Sequence, residues 1–229
     1  MLHRIAWLIL ALLAACAAPP PPASPREDLN ARFLAPDLAV DEFTRVFEGE
    51  SREVARSREG IADALGLRPG MAVADVGAGT GLFLEPFARR VGASGRIYAV
   101  DLSPRFREHL ALRAQRSGLA QVEVVAASES SSGLAPASID VAFVCDTYHH
   151  FDQPGPTLAS LRQALRPGGA LVIVDFERLP GTSADWILEH VRAGKPEVIR
   201  EIEAAGFAFE REVPVEGLRD NYLLRFRRP

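Results

Sequence analysis

The chain has 229 residues, 48% hydrophobic and 24% charged, with 26 Lys and Arg against 30 Asp and Glu and a formal net charge of −4. That length suits one domain of generous size plus a leader, with enough apolar material for a sizeable core. The acidic balance, with a pI near 5.8, carries no electrostatic footprint for a nucleic acid, and no nucleic-acid partner is expected.

The chain opens with two possible positive side chains, His3 and Arg4, before an uninterrupted apolar run from Ile5 to Ala15. The run is too short for a typical transmembrane helix and fits a signal-peptide core, so residues 1–15 read as a leader. It ends Leu13-Ala14-Ala15-Cys16, which resembles a bacterial lipobox, where the peptide is cut before a cysteine that is then lipidated. On that reading the protein is held at the bacterial cell envelope through Cys16 and faces the periplasm. Ala17 after the cysteine, where an Asp would retain it, points to the outer membrane. An ordinary secretory signal is the alternative; so is a misassigned start codon, which would make the protein cytoplasmic. With Cys16 acylated, Cys145 has no intramolecular partner and reads as a small buried hydrophobe.

Residues 16–41 form the lipidated cysteine and a tether: Ala17 to Pro25 contains four consecutive prolines, a stiff extended spacer, and Arg26 to Asp41 reads as irregular. The folded domain spans 42–229. Helices are expected over Glu42–Phe47 and Ser51–Leu65, where Val54, Ile61, Ala62 and Leu65 recur at roughly helical spacing. Phe43, Phe47 and Arg52 are placed either to line a site or, for the phenylalanines, to pack in the core. Gly66 suits a C-cap, and Arg68-Pro69-Gly70 a turn.

Strands and helices then alternate. The expected strands are Ala72–Val76, Arg96–Val100, Val122–Ala126, Ile139–Cys145, Ala170–Phe176, Phe207–Val213 and Tyr222–Arg227. The expected helices are Leu82–Val91, Pro104–Ser117 (Ser103 as N-cap, Pro104 in its first turn), Gly155–Leu165, Asp185–Arg192 and Pro196–Ala205. Ala127 to Pro136 is a polar loop, and Arg166 to Gly169 a turn. Alternation of this kind argues for an α/β fold with a parallel sheet covered on both faces.

The chemistry concentrates at Met71 to Phe83, MAVADVGAGTGLF, a strand running through Gly77, Gly79 and Gly81 into a helix. Glycine accepts positive φ there and leaves no Cβ between backbone and ligand. The next strand ends in Asp101, at the offset where a carboxylate reaches ribose hydroxyls. A dinucleotide fingerprint would need a glycine where Leu82 stands, which disfavours a nicotinamide oxidoreductase. The pattern is instead D-x-G-x-G-x-G, Asp75 to Gly81.

That pattern, with Asp101 and the later LRPGGALVIVDF (Leu165 to Phe176), resembles the class I S-adenosylmethionine-dependent methyltransferases. DTYHHF (Asp146 to Phe151) and EIEAAGF most resemble small bacterial members near the ubiquinone/menaquinone-biosynthesis methyltransferases. The resemblance implies a Rossmann-like, doubly wound, mostly parallel sheet of seven strands in the order 3-2-1-4-5-7-6, the last strand antiparallel. It implies S-adenosyl-L-methionine as cofactor. Gly77, Gly79 and Gly81 would lie against its methionine part and sugar, Asp101 against the ribose, and Leu102 against the adenine. Asp75 would order the loop or contact the amino group. Ser128 or Glu129 would stand in for the aspartate that usually meets the adenine.

His149, His150 and Asp146 follow the fourth strand, where the acceptor side begins, and are the candidate catalytic residues. They could serve as a base or as cofactor-shaping groups. Asp146 and His150 alone are too few for a metal site, and no metal is expected. His190, Arg192 and Lys195 lie in a segment that often faces the acceptor, and Trp186 and Tyr148 either shape an apolar pocket there or pack in the core. The expected function is methyl transfer to a small-molecule or lipid-like acceptor; the alternative is a non-catalytic envelope lipoprotein that binds a ligand on the same fold.

Overall fold

The computed structural model describes residues 29–229. The expectations for the leader, Cys16 and the proline run fall outside the described residues, and no described helix is long and apolar enough to cross a membrane.

Among the described residues, seven strands form one sheet: β1 (Ala72–Val76), β2 (Arg96–Asp101), β3 (Val122–Ala126), β4 (Ile139–Cys145), β5 (Leu165–Phe176), β6 (Ala208–Glu212) and β7 (Asn221–Arg227). The order is β3-β2-β1-β4-β5-β7-β6. β7 runs antiparallel to both its neighbours, and the pairs from β3 across to β5 are parallel, which is the expected topology. Parallel strands need crossovers, so helices sit on both faces and β1 is buried along its whole length. Period-two alternation divides it: Ala72, Ala74 and Val76 join one core and Val73 the other.

The first core closes under α7 (Pro154–Ala164) and α9 (Lys195–Ala204) through Leu158, Leu161, Val198 and Ile202. The second closes under α4 (Arg58–Ala64), α5 (Leu84–Val91) and α6 (Pro104–Arg116) through Ile61, Phe87 and Leu110. Burying a side chain the size of Phe87 contributes roughly 1.5–3 kcal/mol. Ser103 caps α6, its hydroxyl accepting from the Phe106 amide at 3.4 Å, with Pro104 at the first helical position.

Several boundaries differ from expectation. α5 starts at Leu84, because residues up to Phe83 are still turning out of three glycines with positive φ. The helix expected over Ser51–Leu65 divides at Ser57 into α3 (Glu53–Arg56) and α4, where the Ser57 hydroxyl bonds the Glu216 carbonyl at 2.9 Å. β5 begins at Leu165: that residue pairs with Ile139, and the expected turn over 166–169 is absorbed where the β4 register shifts. Helix α8 (Asp185–His190) stops before Val191, which is extended. Ahead of all these, α1 (Ala31–Leu34) and α2 (Val40–Phe47) lie before the sheet, the first in a stretch expected to be irregular.

Candidate active site

The C-terminal ends of β1, β2, β4 and β5 open into one cavity of about 580 Å³, within the range of small-molecule sites. Its floor is the glycine turn. Gly77 has φ +76°, and a Cβ there would fall 2.4 Å from Cγ2 of Thr147, so only glycine fits. The Gly77 and Ala78 amides donate to the Val100 carbonyl at 2.8 and 3.1 Å, which folds the turn across the end of β2.

Asp101 closes the turn from the other side. Its Oδ2 accepts from the Gly79 amide at 2.8 Å and its Oδ1 from the Ser103 amide at 2.8 Å. Burial raises its pKa, against the pull of those two donors. The carboxylate therefore shapes the loop as well as facing the cavity, and each oxygen keeps a second lone pair for a ligand hydroxyl.

Asp75, at the end of β1, is buried, lines the cavity, and has an Oδ2 with no hydrogen-bond partner among the described residues. Burial first, and the neighbouring Asp101 second, push its pKa up to about 7. A buried carboxylate oxygen without a donor suits a cationic donor supplied by a ligand.

The cavity wall from the N-terminal side is held by charge. Asp146 has positive φ (45°), and both its oxygens are engaged: Oδ1 accepts from Asn221 Nδ2 at 2.6 Å and Oδ2 from Arg52. Burial, the largest single influence, opposes the Arg52 charge, but Asp146 together with Cys145 and Asp175 leaves its pKa raised. Arg52 also stacks over Phe47, 5.1 Å from the ring centroid. Glu53 beside it is buried and accepts three backbone N–H groups, from Arg219, Asp220 and Asn221, at 2.9, 2.9 and 2.7 Å. Asp146 thus ties α3 to the start of β7 while lining the cavity beyond β4.

The remaining wall is aromatic. Phe33, Phe43, Phe47 and Phe106 form a cluster with centroids 5.3 to 6.4 Å apart, and Phe33 meets His150 edge-on at 5.4 Å. His149 and His150 occupy a 3-10 turn, Tyr148–His150. His149 is buried and donates from Nδ1 to Asp175 Oδ1 at 2.7 Å, while its amide donates to Asp175 Oδ2 at 3.0 Å. Burial, the largest single influence, opposes its charged form, yet Asp175 together with Asp146 leaves the pKa raised. His150 behaves oppositely: burial, then His149, His190 and Arg32, push it down to about 3, so it is neutral at physiological pH. Trp186 is 51% exposed at the mouth, edge-on to Phe176 at 5.0 Å, so it belongs to the pocket and not the core.

Of the expected residues, Asp75, Gly77, Gly79, Asp101, Leu102, Ser128, Glu129, Asp146, His149, His150 and His190 all line this one cavity. Gly81 lies behind it, where a Cβ would press on Leu110 and Leu84 at 3.0 Å. Ser128 forms a small bridge with Ser131, and Thr157 binds the Glu129 carbonyl at 2.9 Å, so the loop after β3 is ordered. Three others turn away. Tyr148 is fully buried and donates to Glu201 at 2.7 Å, Arg192 grips the same carboxylate at 2.6 and 2.7 Å, and Lys195 pairs with Glu177 and Glu212. Sequence reasoning missed Asp175, Glu53 and Phe33. Asp175, directly after the buried apolar run Ala170–Val174, was the one that carried a signal: a buried acid there needs a partner.

Residues 74–173 match the family model of the methyltransferase domain. That segment is similar to methyltransferase domains, the seven-stranded fold around it is the Rossmann-like one of solved methyltransferases, and these similarities support S-adenosylmethionine as the cofactor. The chain is 31% identical to a ubiquinone/menaquinone biosynthesis C-methyltransferase of Bordetella avium, over 52% of this chain and 48% of that one. It is 34% identical to an uncharacterized 37.1 kDa protein in a transposon of Streptomyces fradiae, over 58% of this chain and 38% of that one. It therefore spans about half the length, or less, of these curated relatives. Among solved structures, a methyltransferase from Aquifex aeolicus superposes with a TM-score of 0.72 at 24% identity, covering 82% of this chain and 97% of that one.

Proposed function

We propose that the protein transfers a methyl group from S-adenosylmethionine to a small, largely apolar or lipid-like acceptor. The observation that carries this is a single cavity with two unlike ends: a glycine turn flanked by Asp75 and Asp101, and an aromatic end bearing histidines. When bound, the cofactor supplies an electrophilic methyl group on a sulfonium sulfur. Asp75 would receive a cationic group on its unpartnered oxygen, Asp101 ribose hydroxyls, and the Gly77–Gly81 backbone the adjoining chain. Leu102 would pack on the adenine, with Ser128 and Glu129 at its edge.

At the other end Phe33, Phe176 and Trp186 offer apolar contact to the acceptor, and holding two reactants together supplies much of the rate. Where the acceptor must lose a proton, His149 is oriented for it: Asp175 holds Nδ1–H, leaving the Nε2 lone pair. Asp146 acts by position, through Arg52. Relatives named for ubiquinone and menaquinone biosynthesis support an acceptor of the quinol type. The apolar leader and Cys16 support a tethered protein at the cell envelope; a Cys16→Ser change is expected to abolish incorporation of labelled palmitate.

The test is incubation with tritiated methyl donor and a panel of quinols, phenols and short lipid analogues. Tritium in the organic phase together with S-adenosylhomocysteine is the expected result. Cofactor binding without turnover across the panel would overturn transfer in favour of ligand binding alone.

A further inference from the structure

Three imidazoles converge at the acceptor end, more than proton removal requires. His149 and His150 come from the turn after β4, and His190 from the end of α8. The His149 and His150 ring centroids are 4.4 Å apart, and each lies 5.1 Å from that of His190. One ring nitrogen from each falls within 4.8 Å of the other two, and all three residues line the cavity. Two further observations point to a ligand. His150 Nδ1 is buried and has no hydrogen-bond partner among the described residues. Asp175, itself buried, holds His149 through Nδ1 at 2.7 Å. A carboxylate on one imidazole nitrogen fixes the tautomer and leaves the other nitrogen basic, the usual outer support of a metal-bound histidine.

We propose that His149, His150 and His190 bind one divalent first-row transition-metal ion of the zinc class, and that its remaining position, open to the cavity, takes an oxygen atom of the acceptor. A set made of imidazoles alone favours such ions over magnesium or calcium, which want carboxylate and carbonyl oxygens. Asp146, just before the histidine turn, is engaged by Arg52 and Asn221 and stays outside the set. Bond lengths of about 2.0–2.1 Å bring tetrahedral ligand nitrogens to roughly 3.4 Å apart, a closure that rotation of the side chains supplies. Three protein ligands and one open position is the pattern of a catalytic ion.

The ion names the acceptor class. An enol, phenol or hydroxyl oxygen bound to it loses its proton more readily, and the proton passes to bulk water while the oxygen stays as the anion on the ion. His149 Nε2 is then a ligand and not the base. The acceptor part of this proposal rests on the transfer reading above; the metal part stands without it.

The experiment uses the full chain, purified without a polyhistidine tag, stripped with a chelator, and titrated with Co²⁺ and then Zn²⁺. One equivalent of Co²⁺ with a visible absorption band of a four- or five-coordinate ion, displaced by Zn²⁺, is expected. His190→Ala and His150→Ala are each expected to weaken Zn²⁺ at least 100-fold, and Asp175→Asn about 10- to 100-fold. S-adenosylmethionine titration and a thermal melt on each variant show that it is folded. Stoichiometric binding that survives the His149, His150 and His190 triple alanine change, or no band in a folded protein that binds cofactor, would overturn the site. Metal binding that follows these variants in a protein that fails to bind cofactor would leave the site standing and defeat the transfer reading.

Discussion

Asp75 makes the site's electrostatics measurable through stability. Its pKa is pushed from 3.8 to about 7 in the folded chain, because burial and Asp101 disfavour the anion. A carboxyl whose folded pKa is raised costs nothing below the unfolded pKa. The penalty builds as pH rises through the window from about 4 to 7 and is constant above it. One pKa unit is worth about 1.4 kcal/mol, so the cost to the cofactor-free protein reaches about 4 kcal/mol at pH 8 and about 2 kcal/mol at pH 5. Asp75→Asn removes the charge and keeps the shape. The variant's stability relative to the native protein should therefore improve by roughly 2–3 kcal/mol on going from pH 5 to pH 8, whatever the offset from altered packing. Urea unfolding of both proteins without cofactor, at the two pH values, reads this directly. The same change should weaken S-adenosylmethionine by about 10- to 100-fold, the worth of a charge-assisted hydrogen bond. A stability difference that does not move with pH would refute the reasoning, since it would mean that Asp75 is not an isolated buried acid.

Two further outcomes follow from the turn and its strut. Gly77→Ala places a Cβ 2.4 Å from Thr147 at φ +76°; the backbone conformation alone costs about 1–2 kcal/mol, so a lower melting temperature and loss of cofactor binding are expected in a thermal-shift assay. Arg52→Ala leaves Asp146 buried without its cation, which should cost about 3–5 kcal/mol in chemical denaturation; an unchanged midpoint would show that the pair does not hold α3 in place.

Much of this was legible because it lives in local pattern. The glycines and Asp75 sit on one strand-turn-helix, and Asp101 follows on the next strand, so sequence spacing alone brings them together. The strand order came from the resemblance, because nothing local distinguishes β7 beside β5 from β6 beside it. What stayed hidden depends on chain segments far apart. The partners of Asp146, Arg52 and Asn221, lie 94 and 75 residues away, so its tie to α3 could not be read locally. His190 read as one of three basic candidates, and only the end of α8 shows that it alone turns to the cavity while Arg192 and Lys195 find carboxylates. Asp146 and His150 fell short of a metal site in sequence; the fold instead brings His149, His150 and His190 together.

The most direct test of the account is calorimetric titration of S-adenosylmethionine into the purified protein, with Asp101→Ala alongside. The account predicts binding at one site with micromolar affinity and its loss in the variant, whose turn no longer has the carboxylate bonded to Gly79 and Ser103. No heat from a folded native protein, or equal binding by the two, would contradict it.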